Sequence, residues 1–265
     1  MIVTISDPEK FSKFSIIFNN MKNFTNTIVL NMNDEGLYTQ GLDSGNVCLF
    51  ECKINKDWFD DYKCDDESYN LGINTTMLNN VLSIYENGQI FELVISKQDE
   101  ENTNNLDVDS IVINYINNEK NKKTFNKSFC VSLTYLEHNL LNIPDDENDI
   151  ELLIDSNIFC ELINQLQLFN ESVEFIFNED KIKLISSGDF GSMETIINFD
   201  DVNEYSITED MELVQKFSLK YIKLMCNFNK LSNEMRLLYT EDKPMILKYD
   251  LNDNSYLKLF LAPKY

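Results

Sequence analysis

At 265 residues the chain has room for one large or two ordinary domains, and 43% hydrophobic with 12% aromatic content supports packed cores and excludes a disordered chain. With only 7 Gly and 4 Pro it is neither collagen-like nor dominated by linkers. Its 45 acidic against 22 basic residues give a net charge of −23, a field that taken alone repels nucleic-acid phosphate and favours partners with basic flanks.

No apolar run is long enough for a membrane span, and the opening MIVTISDPEKF lacks the basic and apolar regions of a secretory signal, so a protein that is not secreted is expected. The six cysteines form no Cys-x-x-Cys pair and His138 is the sole histidine, which argues against a zinc site and for small reduced core residues. There is no glycine-rich phosphate loop and no Ser/His/Asp constellation, so neither a catalytic site nor a cofactor or metal is expected.

In chain order, Phe11, Phe14, Ile17, Phe18 and Met21 form one apolar stripe, predicting a helix that Asp7 caps and Pro8 opens. Strands follow at 28–30, 37–43 and 47–54, with a turn at 33–36. Residues 74–86 read as a second helix, leading into strands at 91–96 and 111–115. Residues 133–149 carry Pro144 and an acidic run, the mark of an extended connection.

The same order then recurs. A helix from Asp155 places Ile158, Leu162, Leu166 and Phe169 on one face; strands follow at 173–177, 181–186 and 193–199. Asp180 and Asp189 stand where Asp34 and Asp43 stood, both pairs at the same separation. A last helix at 218–229 leads into strands at 235–239 and 245–251 and a final strand, 257–261. The reading is α+β: two tandem copies of one helix-and-sheet unit, residues 1–133 and 151–265, joined by a connection at 134–150.

Six stretches, collinear over almost the whole chain, carry a resemblance. They are GLYTQGLDSGNVCLFECKI (36–54), WFDDYKCD (58–65), LLNIPDDE (140–147), SSGDFGS (186–192), KPMILKYDL (243–251) and the terminal YLKLFLAPKY. Together they resemble the eukaryotic-type DNA sliding clamps of the proliferating cell nuclear antigen family. The resemblance implies two clamp domains per subunit, antiparallel sheets outside and four helices inside, in a head-to-tail homotrimeric ring. It implies a non-enzymatic processivity factor with duplex DNA, a DNA polymerase and other clients, and an ATP-dependent clamp loader as partners. It implies work in the nucleus or another site of DNA replication, a viral factory included. Two alternatives stand beside this: a subunit of a heterotrimeric checkpoint-type clamp, a class that shares the fold but often degrades the client pocket, and a monomeric clamp-like polymerase accessory protein.

The resemblance also assigns residues. Clients would seat one aliphatic and two aromatic anchors in an outer pocket built by Leu42, Asp43, Val47, Leu49 and the connection's Leu141, Ile143 and Pro144. Pro244, Phe260, Ala262 and Pro263 would complete it, with Asp145, Asp146 and Glu147 drawing basic flanks. Phosphates would meet Lys10, Lys13 and Lys22 of the first helix and Lys216, Lys220, Lys223 and Lys230 at the last, with 216, 220 and 223 on one helical face. Subunits would join through edge strands at Phe129, Val131 and Leu133 and at Met193, Thr195 and Ile197. The chain departs from the family in its other two helices, since no cation lies between Lys63 and Lys97 or between Lys127 and Lys181. Asn80, Ser83, Glu161 and Asn164 stand there instead, and Glu179 replaces a modifiable lysine.

Overall fold

The computed structural model of the chain describes residues 1–64, 68–95, 109–117, 124–136, 140–143 and 147–264. Of the residues singled out above, Asp65, Lys97, His138, Pro144, Asp145, Asp146 and Tyr265 lie outside these. Two units are present. Unit 1 is Met1–Gly41, Glu51–Leu141 and Asn252–Ser255; unit 2 is Leu42–Phe50, Asn142–Leu251 and Tyr256–Tyr265.

The first half runs β1 (Ile2–Ile5), α1 (Pro8–Met21), β2 (Thr27–Asn33), β3 (Gly36–Leu42), β4 (Cys48–Asn55), β5 (Asp61–Lys63) and β6 (Tyr69–Asn74). It continues through α2 (Thr75–Leu82), β7 (Gln89–Val94), β8 (Ser110–Asn117) and β9 (Lys127–Ser132). The second half runs β10 (Ile150–Asp155), α3 (Ser156–Leu166), β11 (Ser172–Phe177), β12 (Ile182–Gly188), β13 (Gly191–Ile197) and β14 (Glu204–Ile207). It ends with β15 (Leu213–Ser218), α4 (Leu219–Cys226), β16 (Glu234–Tyr239), β17 (Met245–Asn252) and β18 (Ser255–Leu261).

The duplication is visible in strand order. The first half holds a sheet ordered β5-β1-β7-β8-β9 and a run β6-β2-β3-β4; the second holds β14-β10-β16-β17-β18 and β15-β11-β12-β13. Each order maps onto its counterpart strand for strand. Single hydrogen bonds repeat as well. The Tyr62 hydroxyl of β5 donates to Asn33 O at 2.7 Å, and that of Tyr205 in β14 donates to Asn178 O at 3.0 Å, each tying a short strand to the turn of an earlier hairpin. The Tyr115 hydroxyl of β8 donates to Val81 O in α2 at 2.9 Å, and that of Tyr249 in β17 to Met225 O in α4 at 3.1 Å. In each half, then, a buried tyrosine finds its partner on the last turn of a helix that packs on its sheet.

Helix α1 forms as its sequence dictates. Asp7 accepts the Glu9 N–H at 2.8 Å, Pro8 occupies the first turn, and Phe11, Phe14, Ile17, Phe18 and Met21 are buried. Helix α3 corrects the sequence expectation. Its buried face is Phe159, Cys160, Ile163 and Leu166, while Ile158 is 59% exposed and Phe169 lies past the helix end. Two apolar stripes overlap here, one residue apart, and the sheet takes the one containing Phe159. A second difference concerns the paired aspartates: Asp43 is buried in a five-residue connection, whereas Asp189 is exposed in the tight β12–β13 turn.

The start of α1 hangs on Asp60, which no local sequence pattern marks. Its carboxylate accepts the Ser6 N–H at 2.6 Å, the Ser6 hydroxyl at 2.8 Å, the Asp7 N–H at 2.9 Å and the Lys10 ammonium at 2.8 Å. Burial alone would raise its pKa, but the Lys10 ion pair and the three neutral donors outweigh burial and hold it well below the usual carboxylate range. A depressed folded-state pKa contributes stability that is complete above the unfolded value of about 3.9 and is lost as pH falls through the folded one. Asp60→Asn is therefore expected to cost roughly 2–3 kcal/mol at neutral pH. Urea titrations should show the gap to wild type narrowing below about pH 4; an equal gap at both pH values would contradict this assignment.

Edge strands are protected unequally. Along β6, Thr134 lies so close that a Cβ on Gly72 would sit 2.0 Å from Thr134 O, and the Thr134 N–H donates to Gly72 O at 2.8 Å. Along β15, the Lys264 N–H donates to Lys216 O at 2.6 Å. Strands β5 and β14 are only 3 and 4 residues long. Strands β9 and β13, with 6 and 7 residues, have no strand on their outer side among the described residues. A long unpaired edge is a template for another chain.

Candidate functional site

The connection from β3 to β4 is organised by one carboxylate. Asp43, 6% exposed, accepts the N–H groups of Gly45 at 2.8 Å, Val47 at 2.7 Å and Cys48 at 2.7 Å, and the Tyr221 hydroxyl at 3.0 Å. Burial acts to raise its pKa, yet the four donors prevail and hold it below the ordinary value. The Tyr221 phenol is pushed the other way by burial and by its bond to Asp43, so it remains a donor. Cys48 is pushed up to about 12 by burial and by the Asp43 charge, which leaves it an unreactive thiol.

The chain's last residues close on this connection within unit 2. Leu257, Leu259 and Leu261 of β18 face the core, while Tyr256, Lys258 and Phe260 are half-buried on the opposite face. The Ala262 N–H then donates to Val47 O at 3.1 Å, and the Lys264 ammonium reaches Ser172 Oγ at 3.0 Å. An apolar, half-open surface results: Leu42 is 39% exposed, and Val47, Leu49, Phe260, Ala262 and Pro263 are half-buried. Ile143 is half-buried and Pro244 exposed in the same unit. Leu141, 46% exposed, belongs to unit 1, where its carbonyl accepts the Gln40 amide at 3.2 Å.

The lysines separate into distinct environments. Lys10 is bound to Asp60; Lys22 reaches the Asn79 side chain at 3.3 Å; Lys13 is half-buried. On α4, Lys220 and Lys223 are exposed, with the Lys223 ammonium 3.0 Å from Gln167 Oε1, and Lys230 is exposed in the 3-10 turn Asn229–Leu231. Lys216 corrects the sequence expectation. It lies on β15, because α4 starts at Leu219, and so it shares no helical face with Lys220 and Lys223. Asn80 on α2, Ser83 just past its end, and Glu161 and Asn164 on α3 are exposed, so these helices present amides, a hydroxyl and a carboxylate.

The edge-strand residues need a correction too. Val131 is 1% exposed and Ile197 8%, because their side chains face the core of their own sheets; Phe129, Leu133, Met193 and Thr195 are half-buried. The open side chains alternate with these: Ser128, Cys130 and Ser132 on β9, and Ile196, 54% exposed, on β13. The Leu133 N–H bonds to Asp109 O on the β8 side at 2.8 Å. By the alternation of an antiparallel ladder, the backbone groups of Ser132, Cys130 and Ser128 then point to the open side. Leu168 and Phe190, exposed by 80% and 104%, went unnoticed in the sequence, where nothing separates them from core residues. Among the described residues no group of three or more His, Cys, Asp or Glu could hold a metal ion, and no helix is long and apolar enough to cross a membrane.

Two tandem units, each with a helix pair and antiparallel sheets, define the architecture of a DNA clamp; unit 2 also carries a half-open apolar surface and the exposed cations of α4. The family model for the proliferating cell nuclear antigen N-terminal domain matches residues 9–138, and that for the C-terminal domain matches residues 142–264. The chain is 29% identical over 237 residues to the proliferating cell nuclear antigen of Chaetomium thermophilum, covering 88% of this chain and 86% of that protein. It is 25% identical over 262 residues to that of Saccharomyces cerevisiae, covering 97% and 96%. It is also 25% identical over 260 residues to a probable DNA polymerase sliding clamp of Paramecium bursaria Chlorella virus 1, covering 93% and 91%. The chain belongs to the proliferating cell nuclear antigen family of DNA sliding clamps.

Proposed function

We propose that three copies of this chain close into a ring around duplex DNA, and that the ring tethers DNA polymerase and other clients through the apolar surface of unit 2. A clamp loader would open and close it at sites of DNA replication, and no chemistry is performed. The observation that carries this reading is the pattern of open edges. By the duplication, β4 and β18 are the counterparts of β13 and β9. Strands β4 and β18 are tied near both ends, by Ala262 N–H to Val47 O at 3.1 Å in unit 2 and by Asn55 N–H to Ser255 Oγ at 2.9 Å in unit 1. The same junction between β13 and β9 requires a second copy. A heterologous contact that closes after a few copies satisfies every edge.

Net charge does not oppose this. The Debye length is about 8 Å at physiological ionic strength, so carboxylates on an outer surface are screened from a central hole. Enclosure needs no affinity, and sliding needs contacts that are weak and independent of sequence. With Lys10 neutralised by Asp60, Lys216 on a sheet and two helices without cations, Lys13, Lys22, Lys220, Lys223 and Lys230 remain for phosphate. The expected result is that the loaded protein stays on closed circular DNA and runs off linear DNA, with a log–log salt dependence of DNA association shallower than that of a lysine-rich clamp. Equal loss from both DNA forms would contradict enclosure, and a slope as steep as the lysine-rich clamp's would contradict the sparse lining.

A further inference from the structure

We propose that Tyr221 is a positioning residue for the client surface: its hydroxyl, bound to the buried Asp43 carboxylate, seats the 43–47 connection on helix α4. The inference rests on the reading of that surface as the client site. The connection has no strand or helix of its own, and three of the four donors to Asp43 come from the connection and its first following residue. Those bonds fold the connection but travel with it, and cannot place it. Two ties come from elsewhere in unit 2, the Tyr221 hydroxyl at 3.0 Å and the Ala262 N–H to Val47 O at 3.1 Å. Ala262 is itself part of the surface to be positioned.

Tyr221 stands on firmer ground. On α4 its neighbours Leu219, Ile222 and Met225 are 0% exposed, and the helix's last turn is held by the buried Tyr249 hydroxyl at 3.1 Å. The fit between phenol and connection is close: a Cβ on Gly45 would lie 2.9 Å from the Tyr221 oxygen and 3.0 Å from Asp43 Oδ2. A Cβ that close obliges the Tyr221 oxygen to shift, so a side chain at position 45 disturbs the same hydrogen bond. The backbone at Gly45 is not in the left-handed region, so alanine there tests the approach without adding strain.

The test uses the full chain and a short synthetic peptide with one aliphatic and two aromatic anchors flanked by lysines. Tyr221→Phe is expected to weaken the peptide about 5- to 10-fold. It should speed amide exchange at Gly45 and Val47 while exchange in β11 and β16 and the melting temperature stay put. Gly45→Ala should weaken the peptide to a similar extent, and adding it to Tyr221→Phe should cost little more, because both remove one bond. Unchanged affinity in both single variants, or fully additive losses, would overturn the inference while leaving the client site standing. Failure of the wild-type chain to bind the peptide would instead remove the client reading, and this inference with it.

Discussion

Replacing Cys130 with proline is expected to leave each chain folded and to stop chains from assembling. The position is chosen by the ladder. Cys130 stands opposite Val112 in a pair whose backbone groups point away from β8, so within the chain its N–H bonds to no strand. Proline is tolerated where an edge strand faces solvent, and the pyrrolidine ring fits the extended backbone. In a ring, the same N–H would face the β13 edge of a neighbour. Proline there removes a ladder bond and pushes the strands apart, at a cost on the order of 3 kcal/mol per contact, or about 100-fold. Three such contacts fail together. Sedimentation should give the mass of a single chain for the variant, with circular dichroism and melting temperature close to wild type. An assembly that survives the proline would show that β9 does not carry the contact.

The second large effect is expected at the client surface. Ile143→Ala combined with Phe260→Ala should lower affinity for a client-type peptide by at least about 100-fold. Both side chains are half-buried in unit 2, so each retains exposed apolar area for a ligand and neither fills the deep core. Apolar burial is worth roughly 1.5–3 kcal/mol per large side chain, and the two truncations remove that area on the receptor side. Each single variant should lose about 10-fold, and the assembled mass should be unchanged. Calorimetry with the peptide checks the first point and sedimentation the second. Affinity that survives the double change would move the site elsewhere.

What could be read in the chain, and what could not, follows from the range of the forces involved. Helix α1 was legible because its large apolar residues satisfy only one face, and Asp7-Pro8 fixes its start. Helix α3 is ambiguous in the sequence because Ile158 and Phe159, and Leu162 and Ile163, offer two stripes, and only the sheet decides between them. Lys216 reads as helical because residues 213–223 carry both an alternating and a helical pattern. Ser218, at the boundary, makes no side-chain capping bond that would mark it. The duplication was legible from element order, but its firmest evidence, the matched tyrosine bonds, needed the fold. Val131 and Ile197 lay on edge strands as expected, yet only the register reveals that their side chains turn inward. The apolar surface was legible through motifs. Its anchor was not, because the Asp43–Tyr221 bond joins residues 178 positions apart, and no local pattern encodes such a pair.

If open edges on two repeats bring three copies together as proposed, the mass of the wild-type chain in isolation will show it. Sedimentation equilibrium at micromolar concentration should return three times the 31.0 kDa of one chain. A stable species of 31.0 kDa under those conditions would overturn the proposed ring, since the outer edges of β9 and β13 would then stand open without consequence.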